Sequence, residues 1–480
     1  MHDMRAAAGP FLLVCLVSGG CTLGPDYQRP AVDTPATFRF NDVDAKTIVD
    51  TGWWEQFNDP ALDAVVATAL AENKDVKIAA ARIDQFLGQF QTTRAQLYPQ
   101  LGAGLNSQRQ RLPLGSPDLP VGVDPVFNQF SAVLSASWEI DVFGKLRRQT
   151  EAARAALLAS EEGRRATILA LVASVASTYV NLVSLDRQLD IAKATSESRA
   201  ESVHVFSLRF KYGEVSQMEL AQSQSEYEAS LATIPQLELQ IAQQEDALSV
   251  LLGRNPGPIQ RGRSLDELSA PLVPAGLPSE LLTRRPDLRQ AEQNLVAANA
   301  LIGAARALYF PSISLTGLLG TASGQFSNLF TGPSKVWSYA GAVTVPIFTA
   351  GAISGQVKQA EAQREQALLE YEKAIQVAFQ EVADALVGVQ KTRAALVVQG
   401  RQVDSLRTYA RMARLRYEGG YTSYIEVLDS ERSLFNAQLT YAQTQGTVFI
   451  SIVNLYKAMG GGWVEEAEKM TMSATPTRTP

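Results

Sequence analysis

The chain contains few side chains that could carry out covalent or metal chemistry. Its 480 residues include only two histidines and two cysteines, so a histidine-based catalytic site or a metal site has little to be built from. No nucleophile stands with a general base, and the sequence therefore predicts neither an enzyme nor a bound cofactor. The net charge of −6 is mild and its signs are interspersed, which argues against nucleic-acid binding.

Cys21 is the residue whose surroundings predict a covalent modification. Residues 1–20 have the order of a signal peptide, with Arg5, the apolar run FLLVCLV and the small residues SGG. A cysteine directly after small residues resembles the processing site of a bacterial lipoprotein, where it becomes the lipidated first residue. Thr22 in the next position is compatible with the outer membrane. Ordinary cleavage without a lipid is the alternative.

Two glycine turns, each followed by a new helix start, are the other candidate functional features. Gly213 and Gly420 stand where helical patterns end, and glycine adopts the backbone conformations that end a helix. A Ser-x-x-Glu pair follows each turn, and such a pair forms a capping box at a helix start. The pairs are Ser216 with Glu219 and Ser423 with Glu426. The sequence thus predicts two helical hairpins with exposed turns.

The two hairpins belong to an internal duplication. An offset of 207 residues aligns 140–253 with 347–460 without a gap. Identical residues in this register include Gly144/Gly351, Ala153/Ala360, Val175/Val382, Arg209/Arg416, Gly213/Gly420, Ser216/Ser423 and Glu219/Glu426. So many identities in one register, with both turns among them, indicate two tandem copies of one unit.

The arms of the hairpins are predicted to be long coiled-coil helices. Apolar or small residues recur every seven positions along each first arm. These seams are Val175, Leu182, Leu189, Ser196, Val203 and Phe210, and Val382, Val389, Leu396, Val403, Ala410 and Tyr417. The first arm can run from about Lys145 to Tyr212, roughly 100 Å. Pro235 is predicted to kink or break the returning arm. No run of 18 apolar residues occurs outside the N-terminus, so no transmembrane helix is predicted.

Each copy also has two segments that alternate between apolar and small or polar residues, as strands of roughly ten residues do. The segments are 101–106, 130–142, 312–319 and 337–347. This length and alternation suit the wall of a membrane β-barrel, but four strands are too few to close one. Closure would therefore need several chains. A soluble antiparallel sheet that covers the helices is the alternative.

These elements divide the chain into six parts. Residues 1–20 are the signal peptide, 21–60 a lipidated linker, 61–253 the first repeat, 254–278 a proline-rich linker, 279–462 the second repeat and 463–480 a disordered tail. Trp53, Trp54 and Phe57 at the end of the first linker are predicted to anchor onto the following helix, which is predicted to run from Pro60 to about Leu97. The fold class is mainly α with a small β part.

Four motifs resemble those of a known family. CTLGPDYQRP (21–30), GWWEQFNDPAL (52–62), LLTRRPDLRQAE (281–292) and ALYFPSISLTG (307–317) are similar to signatures of TolC-like outer-membrane efflux proteins, in their lipoprotein, nodulation-type branch. The resemblance covers nearly the whole mature chain. It implies a homotrimer with a 12-stranded β-barrel in outer-membrane lipid and a 12-helix α-barrel in the periplasm. The implied partners are a periplasmic adaptor and an inner-membrane pump.

The resemblance also implies a gate at the periplasmic tips. Ile425, Glu426 and Asp429 match family positions that line the constriction, and three copies of Asp429 would form a ring that favours cations. Each residue has an alternative role: Glu426 as a capping-box partner, Asp429 as a complement of the helix dipole, and Ile425 as coiled-coil core. The residue equivalent to Asp429 in the first copy is Gln222, so the shared fold does not require the charge.

Further tip residues are expected to hold the gate or to dock partners. Arg416, Tyr417 and Arg432 are predicted as a latch between neighbouring hairpins, although Tyr417 also continues the seam and packing is its alternative role. Gly213 and Gly420 are predicted to mark the tips on which the adaptor docks.

The favoured function is a passive exit duct for small molecules that a periplasmic adaptor and an inner-membrane pump deliver. One alternative is the outer-membrane duct of a protein secretion system. Another is a periplasmic coiled-coil scaffold without a pore, although the alternating strands and their aromatic residues argue against it.

Overall fold

A computed structural model describes residues 22–32, 38, 46–47, 52–113, 124–271, 274–275, 278–460 and 464–473. The predicted signal peptide and Cys21 lie outside the described residues. The chain divides into two compact units. The first holds the described parts of Met1–Ala31, Arg82–Ser160 and Gln290–Tyr371, and the second holds those of Val32–Ala81, Glu161–Arg289 and Glu372–Pro480.

The helices and strands follow one another in the same order in both repeats. The first repeat has α1 (Pro60–Glu72), α2 (Lys74–Ala95), β1 (Gln100–Arg111), β2 (Val126–Ile140), α3 (Lys145–Lys211) and α4 (Gln217–Leu251). The second repeat has α5 (Pro278–Arg284), α6 (Pro286–Ala307), β3 (Ser312–Ser323), β4 (Lys335–Thr344), α7 (Ala352–Glu418) and α8 (Tyr424–Ala458). A final helix, α9, spans Val464–Ser473. The mainly helical fold class with a four-stranded sheet is confirmed.

The lengths of the elements confirm the internal duplication. Helices α3 and α7 each have 67 residues, and α4 and α8 each have 35. Both pairs begin and end 207 residues apart. The glycine pairs Gly144/Gly351, Gly213/Gly420 and Gly253/Gly460 all have positive φ, between 71° and 86°. The two copies therefore share their turn backbone as well as their helices.

The four strands form one antiparallel sheet in the order β1-β2-β3-β4. Residues directly opposite one another share a face, and the register places most of the large apolar side chains of the four strands on one side. This apolar face includes Leu101, Leu105, Leu134, Trp138, Leu315, Leu319, Trp337 and Tyr339. Leu101 is 83% exposed and Tyr339 is 82% exposed in the protomer. Glycine, serine and alanine dominate the opposite face, as the alternation predicted.

The core of the second unit is built around the aromatic cluster Trp53, Trp54 and Phe57, all of which are buried in a 3-10 turn. Trp53 stacks on Tyr456 with centroids 5.2 Å apart, and Phe57 lies 5.7 Å from Phe449. Both partners belong to α8. The turn also contacts α1, so the predicted anchor is confirmed and reaches a second helix.

Asn73 divides the helix that was predicted over 60–97 into α1 and α2, so the prediction of one helix is wrong. Its Oδ1 accepts hydrogen bonds from the backbone N–H groups of Asp75 (2.8 Å) and Val76 (3.1 Å). Its Nδ2 donates to the carbonyl of Leu251 at 2.8 Å. An asparagine that caps one helix start and bonds one helix end stabilises the break.

Pro235 does not break the returning arm, because α4 runs without interruption from Gln217 to Leu251 with Pro235 inside it. The predicted break is therefore wrong, whereas a kink at this residue stays a prediction. Packing on both sides of the proline compensates for the missing N–H: Leu237 is buried with Leu185 and Phe435, and Ile234 packs against the same cluster. Tertiary contacts of this kind override a local helix breaker.

The predicted disordered tail is also wrong over 464–473, where α9 forms. Val464 and Ala467 are buried, and Glu468 accepts ion pairs from Arg164 (3.0 Å) and Arg165 (3.1 Å) of α3. This docking could not be seen in the sequence, because both arginines lie about 300 residues away.

One stretch of α3 has the length and composition of a membrane span. However, 72% of that stretch is buried inside the protein. It is therefore the most apolar part of the helical core, where Val175, Tyr179 and Leu182 are fully buried.

We predict that Gly253→Ala lowers the free energy of unfolding by about 2 kcal/mol or more. Gly253 has φ +71°, and an added Cβ would lie 2.2 Å from the carbonyl oxygen of Glu72. The matched control is Gly257→Ala, because a Cβ there meets nothing within 4 Å. Thermal unfolding in detergent should show a lower midpoint for Gly253→Ala alone. Equal midpoints for the two variants would contradict the prediction.

Candidate functional site

The two hairpin turns are built from the same backbone hydrogen bonds. In the first, Glu214 N donates to Arg209 O (2.9 Å) and Gly213 N to Phe210 O (3.0 Å). In the second, Tyr421 N donates to Arg416 O (2.8 Å) and Gly420 N to Tyr417 O (2.9 Å). This pair of bonds is the Schellman motif, which needs a left-handed residue at its centre.

Glycine supplies that conformation in both turns, with φ +77° at Gly213 and +75° at Gly420. A Cβ added to either glycine would meet nothing within 4 Å, so both turns face open space in the protomer. We refer to residues 212–216 as the first tip and to residues 419–423 as the second tip. Their exposure suits the docking role predicted for Gly213 and Gly420.

The first tip has the predicted capping box. Ser216 Oγ accepts from Glu219 N at 3.2 Å, and Glu219 Oε2 accepts from Ser216 N at 2.9 Å. These two bonds satisfy two backbone donors that a helix start otherwise leaves unpaired.

The second tip does not have the predicted capping box, because Ser423 makes no side-chain cap hydrogen bond. Glu426 instead accepts from Thr422 Oγ1 and from Arg416 Nη1, the latter at 3.2 Å. The interpretation of Glu426 as a capping-box partner is therefore wrong. The Arg416 contact lies within one hairpin, so the latch between neighbouring hairpins stays a prediction.

One substitution and one change of hydrogen-bond partner distinguish the second tip, which lacks the capping box, from the first. The position of Thr422 is occupied by Val215 in the first copy, which has no hydroxyl to offer. Arg209, the equivalent of Arg416, hydrogen-bonds the side chain of Tyr417 instead of a glutamate. The same backbone thus carries different side-chain networks.

Tyr417 belongs to an aromatic cluster just behind the tips. Its ring lies 6.1 Å from Phe206 and 5.3 Å from Tyr424, and Phe206 lies 4.1 Å from Tyr424. Burial raises the pKa of Tyr417 and of Tyr424. The packing interpretation of Tyr417 is supported, and the cluster joins α3 to α7 and α8.

The first seam ends differently from the prediction, because Phe210 is 42% exposed whereas Phe206 is 5% exposed. Phe206 fits against Ala413, a small residue that leaves room for the ring. The heptad pattern could not reveal this choice, since both phenylalanines lie near the predicted seam.

In the first turns of α8, the candidate gate residues lie on a different face from the buried residues. Tyr424, Val427 and Leu428 are buried. Ile425 is 55% exposed, and the side chain of Asp429 is 53% exposed and pairs with Arg432 at 2.9 Å. Ile425 and Asp429 thus share the exposed face, as their spacing predicted. In the protomer Ile425 is not a coiled-coil core residue.

A partly buried ion pair behind the tips was missed by sequence reasoning. Arg199 pairs with Glu226 at 3.2 Å, and its guanidinium lies 5.3 Å from the ring centre of Phe435. Nearby, Arg414 pairs with Glu431 at 2.8 Å. These groups border a cavity of about 490 Å³ between α3, α7 and α8. A signal was present, since Arg199 and Glu226 lie almost equally far from Gly213 and face each other across the hairpin.

The described residues hold no cluster of three or more His, Cys, Asp or Glu side chains that could bind a metal ion. Cys21 itself lies outside them, but its neighbour Thr22 packs against Gly144, whose added Cβ would lie 3.0 Å from Thr22 Cα. Leu23 N donates to Phe143 O at 3.4 Å. The residues after Cys21 are therefore held where β2 ends and α3 begins.

The chain is similar to proteins that export compounds across the outer membrane. The family model described as outer membrane efflux protein matches residues 65–254 and 277–461. The toluene efflux pump outer membrane protein TtgC of Pseudomonas putida is 36% identical over 471 residues, which cover 96% of this chain and 97% of that protein. The cation efflux system protein CusC of Escherichia coli is 37% identical over 457 residues, which cover 94% and 97%.

A solved structure gives the same result for the fold. The Campylobacter jejuni CmeC outer membrane channel superposes with a TM-score of 0.88 at 27% identity, and the match covers 95% of this chain and 99% of that one.

We predict that the two equivalent glutamates act differently. Glu219→Ala should increase hydrogen exchange at the start of α4 by about two- to thirtyfold, because a cap contributes roughly 0.5–2 kcal/mol. The matched change Glu426→Ala should leave exchange at the start of α8 within about twofold, because no capping box exists there. Mass-spectrometric exchange of both hairpins measures this. Equal acceleration in the two variants would argue that both tips are capped alike.

Proposed function

The chain belongs to the outer membrane efflux protein family, and from this premise we propose that three copies form a passive exit duct for small molecules. Members of the family are outer-membrane efflux proteins and not enzymes. This protein is accordingly the outer-membrane component of an efflux system. The three-chain assembly, its gate and its partners are inferred below from the contacts of the described residues.

The edges of the sheet carry the argument for assembly. Strands β1 and β4 each have only one neighbour among the described residues, and in lipid unpaired backbone groups are not tolerated. All neighbouring strands are antiparallel, so β1 and β4 run in opposite directions. The β4 edge of one copy can therefore pair antiparallel with the β1 edge of the next.

Three copies suit a duct better than two. Eight strands give an interior that side chains fill, and the diameter grows with strand number, so twelve strands give a wider lumen. The face opposite the apolar face is lined by small residues, among them Gly102, Gly104, Ser135 and Ala340. Small side chains directed inward keep such a lumen wide. The exposed apolar face then faces the membrane, which a periplasmic scaffold without a pore would not need.

The second tip supplies the proposed gate. Around a three-fold axis, the exposed face of α8 would bring together three copies of Ile425 and three of Asp429. Each Asp429 is already paired with Arg432. The ring would therefore produce a focused negative potential that the three arginines partly balance. Arg416 and Glu426 would hold each tip in its closed position through the contact within one chain.

The partners we propose are a periplasmic adaptor and an inner-membrane pump. A Cβ added to Gly213 or Gly420 would meet nothing within 4 Å, and a helical hairpin of an adaptor can approach such turns closely. The names of related proteins mention toluene and cations, and small molecules of that size fit a passive duct. No second function is supported by a particular contact.

Cys21 is the proposed lipid attachment site. The segment after it is fixed on the first unit, where Arg148 pairs with Asp26 at 2.7 Å and Arg29 pairs with Glu292 at 2.6 Å. These contacts would keep a lipid on Cys21 near the end of the sheet that joins the helices. In the proposed orientation, that end lies at the periplasmic leaflet.

The experiment that tests the duct measures purified protein in planar bilayers after its mass is determined by light scattering. A trimer with stable conductance is expected. Asp429→Ala should lower the cation-to-anion permeability ratio by roughly fivefold, because removing a charge ring removes about 1 kcal/mol of cation attraction. The matched change Gln222→Ala should leave the ratio unchanged, because that position carries no charge.

Two outcomes would contradict the proposal. A folded monomer without conductance would exclude the shared barrel. Unchanged selectivity in Asp429→Ala together with altered selectivity in Gln222→Ala would assign the gate to the first hairpin.

We predict that metabolic labelling with palmitate marks the wild type and not Cys21→Ser. The unlabelled variant should retain partial efflux, since the barrel itself holds the protein in the membrane. Labelling of both proteins to the same extent would contradict lipidation at Cys21.

A further inference from the structure

Three basic residues stand on the apolar face of the sheet at the end that carries the strand-connecting loops. We propose that Arg109, Arg111 and Lys335 form a binding surface for the phosphates of an anionic glycolipid in the outer leaflet of the membrane. This inference rests on the proposed function, because the trimer places the apolar face in lipid.

The strand register assigns the three residues to that face. Arg109 and Arg111 lie four and six residues beyond Leu105 on β1 and so share its side of the strand. They stand opposite Asn128 and Val126 of β2. Lys335 stands opposite Thr321 of β3 and precedes Trp337 on the same side of β4. All three basic side chains are exposed.

Their position marks a boundary of the hydrocarbon layer. Charged residues on the lipid face of a barrel are strongly unfavourable at mid-membrane and become tolerable only near the interface. The apolar stretch from Leu101 to Leu105 on β1 ends where the arginines begin. On β4, Val343 to Trp337 form the equivalent stretch, which ends at Lys335.

The basic residues at this end of the sheet have no acidic partner within ion-pair distance in the part of the chain that the structure describes. Among the described residues, the acid closest in sequence to Arg111 is Asp124, which accepts a hydrogen bond from Val126 N at 2.9 Å. At the opposite end, where the strands join the helices, two of the cations are paired. Lys145 contacts Glu139 at 2.5 Å and Arg147 contacts Asp141 at 3.1 Å.

This difference between the two ends favours an external anion at the loop end. Phosphates of a lipid headgroup would supply the missing negative charge, and arginine binds phosphate well because its guanidinium is a planar fork of donors. Basic residues near an anionic membrane surface each add measurably to binding.

Aromatic rings beside the cations suit the rest of such a ligand. Trp337 and Tyr339 stack with centroids 5.8 Å apart and planes 8° from parallel. Phe326, in the loop between β3 and β4, packs on Phe130 of the apolar face at 5.6 Å. Aromatic rings are favoured at the membrane interface, where they would contact the sugar and the first part of the acyl chains.

In the trimer the surface is completed across the junction between two chains. Lys335 lies on the β4 edge and both arginines lie on the β1 edge, so the proposed pairing of β4 with the next β1 puts them on adjacent strands. Three such surfaces would surround one barrel.

The test compares wild-type trimers with the variant Arg109→Gln/Arg111→Gln/Lys335→Gln in nanodiscs that contain bisphosphorylated lipid A. Native mass spectrometry counts the lipid A molecules that each trimer retains. We expect up to three on the wild type and about tenfold weaker retention by the triple variant. The matched control is Arg94→Gln, an exposed arginine at the other end of the sheet, which should retain lipid A as the wild type does.

Dephosphorylated lipid A serves as the second probe and should be retained weakly by all variants. The inference is overturned if the triple variant retains as much lipid A as the wild type, if dephosphorylated lipid A is retained equally well, or if free inorganic phosphate displaces the lipid. Single variants such as Arg111→Gln, which should show an intermediate loss, replace the triple variant if it fails to assemble. Trimers that conduct but do not retain lipid A would overturn this inference alone, whereas wild-type monomers would overturn the proposed function.

Discussion

The backbone groups along the two open edges of the sheet are the constraint on which the rest of the structure depends. A four-stranded antiparallel sheet with an exposed apolar face is stable only where lipid covers that face and other strands pair with its edges. Strands β1 and β4 are exposed along almost their whole length in the protomer. The chain is therefore expected to assemble with copies of itself. In the proposed trimer, the long helices follow the same threefold symmetry as the sheet.

Each chain contributes two copies of one repeat to this assembly, and a comparison of the copies shows which features the fold requires. The residue before the second helix of each repeat bonds the carbonyl at the end of that repeat's returning arm. Asn73 Nδ2 donates to Leu251 O at 2.8 Å in the first copy, and Arg285 Nη1 donates to Ala458 O at 3.0 Å in the second. The side chains differ but the accepting position is the same, because every helix end leaves carbonyls that need donors. Arg285 also pairs with Asp287 and Glu381, which stabilises its buried charge.

Features that depend on neighbouring residues could be predicted from the sequence, and features that depend on distant partners could not. The glycine turns, the first capping box, the face of every strand and the 207-residue duplication follow from local spacing, and all appear in the structure. Pro235 inside α4 and the helix α9 depend on contacts with α8 and α3 that no local pattern reveals. At the candidate site, the exposed face with Ile425 and Asp429 followed from helix periodicity. The hydrogen-bond partners of Glu426 could not be predicted in this way, because periodicity does not show that Arg416 and Thr422 contact its side chain.

The differences between the two tips show which side chains the shared fold does not require. The turn backbone, the glycine conformation and the helix lengths are the same in both copies, so a change of side chain at equivalent exposed positions is not needed for folding. Met218 and Gln222 stand in the first hairpin where Ile425 and Asp429 stand in the second. The second hairpin alone thus combines an exposed carboxylate with the Arg416–Glu426 contact. A carboxylate in one copy only suits the proposed gate, because in a trimer the three second hairpins alone would bring these groups to the axis.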